Sequence, residues 1–219
     1  MDATFPNPIL LVGLLTLLAL APFLAFLVSS FIKLVFVMQL TRSALGLQHE
    51  PPNMAISGIA IILSIYIMAP VAMETYEIFQ KQGVQITDIQ NPNFTSALSE
   101  RATPLQIFLT KHSSEAERNF FVKTTQQIWP EKYSKDVTER HLLVLIPAFL
   151  VSELTLAFQV GFLIYLPFIV IDLIVSNILL SLGMIMVSPV TISLPFKLLL
   201  FVMIDGWSRL IHGLLLSYT

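Results

Sequence analysis

The sequence predicts an all-α integral membrane protein: about four kinked apolar helices in two hairpins, with a small helical extramembrane domain. Of its 219 residues, 55% are hydrophobic and only 12% are charged, about half the charged share of a soluble domain. A soluble protein this apolar could not cover its surface with polar groups, so the surplus must face lipid or other subunits. The charges concentrate between residues 74 and 141. This stretch separates two predicted membrane regions, 1–73 and 142–219.

The first apolar helix is expected at about residues 9–31, which is long enough to cross a hydrocarbon core of roughly 30 Å. Pro22 lies inside it and predicts a kink, because membrane helices tolerate proline when neighbouring groups satisfy the freed carbonyl. The only charge before the apolar run is Asp2, and the run is longer than the apolar core of a signal peptide. A retained span is therefore favoured over a cleaved signal.

A second apolar helix is expected at about residues 54–73, after a short polar connection. That connection contains Lys33 and Arg42 against one acidic residue. Basic residues in short loops favour the cytoplasmic side of a membrane. The pattern thus predicts a cytoplasmic connection, with the N-terminus and the 74–141 domain in the periplasm of a bacterial cell.

The stretch 74–141 predicts a small helical domain. It holds eight of the 12 basic and nine of the 14 acidic residues, so it is nearly neutral and mixed in sign. Aromatic residues recur through it, which favours a folded domain over a disordered loop. Amphipathic helices are expected at 105–111 and 115–127.

Residues 142–219 predict two further spanning arms. Prolines and glycines divide the stretch, and a broken, partly non-helical segment is expected at about 183–195. Irregular backbone at membrane depth persists only where protein or a water-filled cavity surrounds it. This segment is therefore the first place to look for a pore.

The sequence favours no enzymatic activity. It has no cysteine, which excludes disulfides, thiolate metal sites and a thiol nucleophile. Its four histidines show no metal-binding spacing, and neither a phosphate-binding loop nor a nucleophile elbow is present. We expect no catalytic residue, no metal and no cofactor. The formal net charge of -2 provides no basic face for nucleic acid.

The few charges within apolar sequence predict ion pairs. A charge at bilayer depth costs on the order of 3 kcal/mol or more, so such groups usually pair or face water. Glu153 with Lys197 is the natural pair, and it would fix the register of two helices or two subunits. Asp205 and Arg209 are four residues apart and could pair on one helical face. A proton relay through Glu153, Asp172 and Lys197, typical of a small proton-coupled transporter, is an alternative, as is a purely structural scaffold.

Two methionines lie in the expected broken segment. Met184 and Met186 would point about 200° apart on a helix, but in extended backbone residues two apart share a face. Their flexible, polarizable side chains adapt to irregular contacts. A ring of them from several chains could seal a hole and deform around a passing polypeptide. Taken alone, two such methionines are also common as lipid-facing or core residues.

Two long motifs resemble one known family. Residues 166–207, LPFIVIDLIVSNILLSLGMIMVSPVTISLPFKLLLFVMIDGW, and residues 51–71, PPNMAISGIAIILSIYIMAPV, are similar to the two signatures of the type III secretion export-gate family. Its members are called SctR in injectisomes and FliP in flagella. The order of elements agrees over nearly the full length, and the absence of a signal peptide is closer to the injectisome branch.

The resemblance implies a homo-pentameric ring that forms a pore for unfolded proteins across the bacterial inner membrane. Two smaller hydrophobic subunits, SctS-like and SctT-like, would join it, together with further export-apparatus and needle-base components. The family's methionine-rich constriction falls on Gly183, Met184, Ile185 and Met186, where Ile185 replaces a commoner third methionine. The family's ion pair between neighbouring subunits falls on Glu153 and Lys197. Secreted proteins would be the substrates.

Overall fold

The computed structural model describes residues 8–47, 50–82, 102–135 and 137–219. Within these ranges the chain forms helices and no β-strand, which confirms the predicted all-α class. The helices are α1 Pro8–Leu27, α2 Phe31–Ala44, α3 Asn53–Gln82, α4 Thr103–His112, α5 Glu115–Ile128, α6 Glu131–Ser134, α7 Leu142–Ser181, α8 Pro189–Met203 and α9 Gly206–Leu216.

The long helices form two hairpins that lie side by side. Helices α2 and α7 run in the same direction: Lys33 meets Glu153 at one end, and Ala44 and Phe168 share a buried cluster toward the other. Helix α3 returns along α2, and α8 followed by α9 returns along α7. We call the end near Lys33, where α4 and α5 pack, the domain end. The opposite end, at the connection between α7 and α8, is the loop end.

Helix α2 is the centre of the molecule and not a polar connection. Leu34, Val37 and Met38 have no exposed surface, and they pack against Ile56 of α3 and Ala157 of α7. The sequence interpretation assigned residues after 31 to a connection because Lys33 and Arg42 interrupt the apolar run. Neither interrupts the helix, since each finds a polar partner at its own end of α2.

This arrangement corrects the argument for orientation. Lys33 is buried at the domain end, whereas Arg42 lies at the loop end, where it bonds the Asn53 side chain (2.7 Å) and the Pro51 carbonyl (3.0 Å). The two cations therefore do not share one short loop, and the charge rule applies to Arg42 alone. The side of the membrane occupied by each end stays a prediction.

Among the residues that the structure describes, two helices are long and apolar enough to cross a membrane, Asn53–Ile78 and Leu142–Ser181. Two bent pairs raise the number to four if each pair is one span: Leu18–Leu27 with Phe31–Ala44, bent by 61°, and Pro189–Met203 with Gly206–Leu216, bent by 60°. The expectation of about four kinked apolar helices agrees with this count.

The bend between α8 and α9 has a local cause at Asp205 and Gly206. Asp205 has a positive φ of 52°, a conformation that interrupts a right-handed helix. Gly206 follows against the Phe201 ring, where a Cβ atom would lie 2.3 Å from a ring carbon. The missing side chain lets the Phe201 and Trp207 rings meet edge to face, with centroids 5.5 Å apart.

The start of α7 packs against the helical domain that precedes it. With 40 residues the helix is about 60 Å long, twice the hydrocarbon thickness of roughly 30 Å. Leu145 and Phe149 form a buried cluster with Phe108 and Leu109 of α4. The Ser114 amide also donates to the Ser152 hydroxyl at 2.8 Å. The predicted boundary at residue 142 therefore divides charged from apolar sequence, but the residues on its two sides pack together.

The helices predicted at 105–111 and 115–127 are present as α4 and α5. Arg118 joins them, because its guanidinium donates to the Ser113 and Thr110 carbonyls at 2.5 and 3.1 Å, which satisfies acceptors left free at the end of α4. At the other boundary of the domain, α3 continues to Gln82 without a break at residue 74. Residues 83–101 and 136 of the predicted domain lie outside the described residues.

Candidate functional site: the α7–α8 loop and two buried ion pairs

Helix α7 ends in a Schellman motif at Gly183. The Met184 amide donates to the Leu179 carbonyl (2.9 Å), and the Gly183 amide donates to the Leu180 carbonyl (3.0 Å). Gly183 has φ +74°, the left-handed conformation that this motif requires after a helix and that glycine adopts without a steric cost. The glycine therefore stops the helix and turns the chain toward residues 184–188.

The loop is shorter than predicted. Its backbone is non-helical over residues 182–188, and α8 begins at Pro189. Pro189 occupies the first helical turn, where its missing N–H leaves no bond unmade. Pro195 lies inside α8. The broken segment expected at 183–195 therefore extends too far toward the C-terminus. Pro189 was expected to interrupt a helix, but at this position it starts one.

The residues of this loop extend away from the body of the chain. Met184 is 44% exposed, Ile185 80% and Met186 101%, and a Cβ atom on Gly183 would meet nothing within 4 Å. We call Gly183, Met184, Ile185 and Met186 the tip. An exposed apolar group of this kind is usually covered by lipid or by another protein surface.

The first buried ion pair joins Lys33 of α2 to Glu153 of α7. The Lys33 ammonium donates to Glu153 Oε1 at 3.2 Å, and both side chains are buried. The Tyr218 hydroxyl donates to Glu153 Oε2. The Lys33 ammonium also lies 3.6 Å from the centre of the Tyr218 ring, a cation–π contact. Three separate parts of the chain thus meet at one carboxylate.

His112 of α4 lies beside this cluster. Its ring is 4.7 Å from the Phe108 ring and 5.0 Å from the Tyr218 ring. Burial, together with the nearby cations Lys33 and Lys111, lowers the pKa of His112 to about 4. The imidazole is therefore neutral at physiological pH.

The second ion pair joins Asp172 of α7 to Lys197 of α8. The Lys197 ammonium donates to Asp172 Oδ2 at 2.6 Å and to the Ala44 carbonyl at 3.3 Å. The Ser193 hydroxyl donates to Asp172 Oδ1 at 2.5 Å. Lys197 is buried, whereas Asp172 is partly exposed.

The predicted partners Glu153 and Lys197 are not brought together within one chain. The carboxylates of the two ion pairs belong to Glu153 and Asp172. These residues are 19 positions apart on α7, about 28 Å along the helix axis. In a single chain Glu153 binds Lys33 and Lys197 binds Asp172. Pairing between neighbouring subunits concerns an assembly, so it stays a prediction.

The structure differs from the expectation at Asp205 and Arg209. Over residues 137–219, which the structure describes without a gap, no side-chain ion pair joins them. They are linked through the backbone, where the Arg209 amide donates to the Asp205 carbonyl at 3.0 Å. The spacing of four residues assumed one continuous helix, but Asp205 lies at the left-handed break before α9.

Sequence reasoning did not find Lys33 and Tyr218 as partners of Glu153, or Ser193 as a partner of Asp172. For Lys33 a signal was available. The residue is a single cation with apolar neighbours on both sides in FIKLVFV, the same pattern that drew attention to Lys197. For Tyr218 no local signal exists, because its contact with Glu153 spans 65 positions.

Comparison with known proteins places these features in one family. The sequence model of the FliP family matches residues 14–214. The Yop proteins translocation protein R of Yersinia pestis is 52% identical over 213 residues, covering 97% of both chains. The hypersensitivity response secretion protein HrcR of Ralstonia nicotianae is 47% identical, covering 92% of this chain and 93% of the relative. Virulence protein YscR of Salmonella typhimurium is 44% identical, covering 97% and 98%.

Proposed function

This chain belongs to the FliP family, and from that membership we propose that it is a core subunit of a type III secretion export gate. Five copies would form a ring whose pore passes unfolded proteins across the bacterial inner membrane. The subunit would have no enzymatic activity of its own, with energy supplied by other components. The names of its relatives, which refer to translocation, secretion and virulence, support this role.

The observation that carries the proposal is the exposed tip at the end of the α7–α8 hairpin. Its three apolar side chains are free of contacts that would bury them in the single chain, and a glycine-stopped helix on one side and a proline-started helix on the other hold the loop. Five copies around an axis would bring five such tips together. Flexible methionine side chains suit a seal that must open around varied chains, and the branched Ile185 would make it stiffer.

The subunit would act with SctS-like and SctT-like partners and with further export-apparatus and needle-base components. Secreted proteins would be its substrates. We place the 74–141 domain in the periplasm. The export-gate resemblance supports that side, since the distribution of Lys33 and Arg42 no longer does.

Glu153 and Lys197 are proposed to pair between neighbouring subunits. Both already have partners within the chain, so such a pair requires Lys197 to leave Asp172 or to be shared. A carboxylate offers about four acceptor positions, and Glu153 uses one on Lys33 and one on Tyr218. Acceptor positions are therefore left for a second cation, but Glu153 and Lys197 are both buried in the single chain, so the proposed pair requires each to be uncovered when neighbouring subunits pack.

The transporter alternative receives less support. Its relay would need Glu153, Asp172 and Lys197 to exchange a proton, yet Glu153 is about 28 Å from Asp172 along α7. Each carboxylate is already neutralised by its own lysine. The two ion pairs are better explained as structural contacts, one between α2 and α7 and the other between α7 and α8.

The proposal is tested by the mass of the complex extracted in mild detergent, measured by native mass spectrometry with and without the two candidate partners co-expressed. We expect a ring of five copies that takes up both partners. A stable monomer or dimer that ignores them would contradict the export-gate role and favour the transporter.

A further inference from the structure

A polar crevice of about 490 Å³ opens at the domain end of the molecule. Its walls come from α4, α5 and α7, and Lys33 and Glu153 form its floor. Four charged side chains line it, two cationic (Lys33 and Lys111) and two anionic (Glu117 and Glu153). The formal charge of the crevice is therefore balanced.

An apolar crevice of about 710 Å³ continues from it toward the loop end. It runs between α2, α7, α8 and α9. Its lining is mostly aliphatic and aromatic, including Val160, Ile164 and Phe168, with Lys33 and Arg209 as its charged members. Lys33, Leu156 and Ser217 line both crevices. The two spaces are therefore adjacent, with these three residues at the border between the polar and the apolar part.

The dimensions match one leaflet of a bilayer. From Leu156 to Phe168 the apolar crevice follows 12 residues of α7, about 18 Å along the helix axis. Half of a hydrocarbon core of roughly 30 Å is about 15 Å. The polar crevice lies where α4 and α5 pack on α7, at the depth expected for lipid headgroups.

The geometry points to a binding site for one phospholipid with an ethanolamine headgroup. An acyl chain would fill the apolar crevice between α2, α7, α8 and α9 and gain van der Waals contacts with its aliphatic and aromatic side chains. The phosphate would face Lys111, and the primary ammonium would donate to Glu117 and neighbouring hydroxyl groups. Balanced charge favours a zwitterionic headgroup over an anionic one, because an anionic lipid would leave one carboxylate of the crevice unmatched.

This site requires only that the chain is inserted in a membrane, and it does not depend on the pore. Gly213 allows a sharp test. It lines the apolar crevice, and a Cβ atom there would meet nothing within 4 Å, so the side chain of Gly213→Leu starts in open space and occupies part of the crevice. Gly58→Leu is the matched control, since Gly58 is also helical and open but lies on α3 outside the crevice.

The full chain is reconstituted with equal amounts of phosphatidylethanolamine and phosphatidylglycerol, extracted in mild detergent and examined by native mass spectrometry. We expect one retained lipid per chain, with phosphatidylethanolamine enriched at least fivefold. Gly213→Leu should lose most of this lipid, and Gly58→Leu should keep it. The headgroup preference of the unmodified chain is a separate readout that does not depend on any variant folding.

Charge reversal tests the headgroup contact. Lys111→Glu should abolish the preference for phosphatidylethanolamine, whereas Lys123→Glu, on the exposed surface of α5, should preserve it. Retention of both lipids in equal amounts, or unchanged retention in Gly213→Leu, would overturn the proposal. So would a lipid-free oligomer, whether a dimer or a ring of five, since a second copy of the chain would then be the occupant of the crevice.

Discussion

Lys33 and Glu153 form an ion pair in which both side chains are almost fully withdrawn from water, at 3% and 1% exposure. Removing two charges from water is costly, and close contact with further hydrogen bonds must offset that cost. Here the Tyr218 hydroxyl provides the additional bond. Removing any one of Lys33, Glu153 and Tyr218 therefore lowers the stability of the chain, because those that remain are left buried with a partner missing.

Exchanging the charges of Lys33 and Glu153 tests the ion pair within one chain independently of the pair proposed between chains. Lys33→Glu should destabilise the free subunit by at least about 3–5 kcal/mol, the cost of removing one partner of a buried pair, because it also places a second carboxylate beside Glu153. Adding Glu153→Lys should restore much of the thermal stability of the detergent-solubilised chain. Failure of this double variant to exceed either single variant would contradict the Lys33–Glu153 contact.

For the ring, Lys197→Glu should reduce assembly, and adding Glu153→Lys should partly restore it. The readout is the fraction of pentamer on a native gel, since opposite charges would again face each other across the interface. The melting temperature of the free chain is measured alongside, because the two changes also face Lys33 and Asp172 with like charges. If the double variant is folded and assembles no better than either single variant, Glu153 and Lys197 do not pair between subunits.

His112 makes stability depend on pH in the acidic range. Its pKa is about 4 in the folded chain against about 6.5 for an unperturbed histidine. Between these values the unfolded chain binds more protons than the folded chain, so stability falls as pH drops from about 6.5 to about 4. Above pH 7.5 both forms are neutral and this contribution is constant.

His112→Gln should therefore flatten the decline in melting temperature between pH 7.5 and pH 5. His212→Gln, which changes an exposed histidine of α9, serves as control and should leave the slope as it is. The comparison uses slopes, because loss of the ring contacts to Phe108 and Tyr218 can lower stability at every pH. An identical slope in His112→Gln would show that the histidine is not buried in its neutral form.

At the scale of elements, the contact between α2 and α7 holds the two hairpins together. Gly161 of α7 lies against Leu40 of α2, and a Cβ atom there would be 2.4 Å from the Leu40 side chain. Small residues let membrane helices approach closely and gain packing contacts. The approach also keeps the Phe36 and Phe158 rings within 6.1 Å of each other.

Gly161→Ala should consequently destabilise the chain by about 1–3 kcal/mol, the usual cost of an extra methyl group in a packed core. Gly58→Ala is the control: its added Cβ atom meets nothing, and replacing a helical glycine by alanine stabilises by up to about 1 kcal/mol. Thermal unfolding in detergent distinguishes the two signs. Equal effects of both changes would mean that α2 and α7 do not pack so closely.

At the scale of the whole molecule, the tip lies at the loop end and the extramembrane helices lie at the domain end. The α7–α8 hairpin connects them, so a change at the tip is far from the packing that stabilises the fold. Because the tip residues are exposed in the single chain, their loss should cost little stability. Their role is expected to emerge only in the assembled ring.

Deleting residues 184–186 should make closed complexes conduct small ions in planar bilayers, since the seal across the pore would be removed. The same complexes should retain the mass of the intact ring. An unchanged conductance in an intact ring would contradict the tip as the seal. Met186→Leu, which keeps the apolar volume, is the control and should leave the ring closed.

Much of the fold follows from the sequence because it depends on local chemistry. The lipid-facing surplus of apolar residues predicts the membrane class, and the concentration of charges predicts helices α4 and α5. Glycine and proline predict a break in the helix at about 183–195, because Gly183 permits a left-handed turn. The structure confines the break to residues 182–188, since Pro189 starts a helix. These signals act over a few residues, so no tertiary contact is needed to interpret them.

The tertiary structure alone decided which charges meet and which helix is central. Lys33 pairs with a residue 120 positions away, and α2, whose charges suggested a connection, is buried by α3, α7 and α9. A buried charge indicates that a partner must exist, because isolation in an apolar environment is too costly. It does not indicate which partner, since that choice is made by the packing of helices distant in the chain.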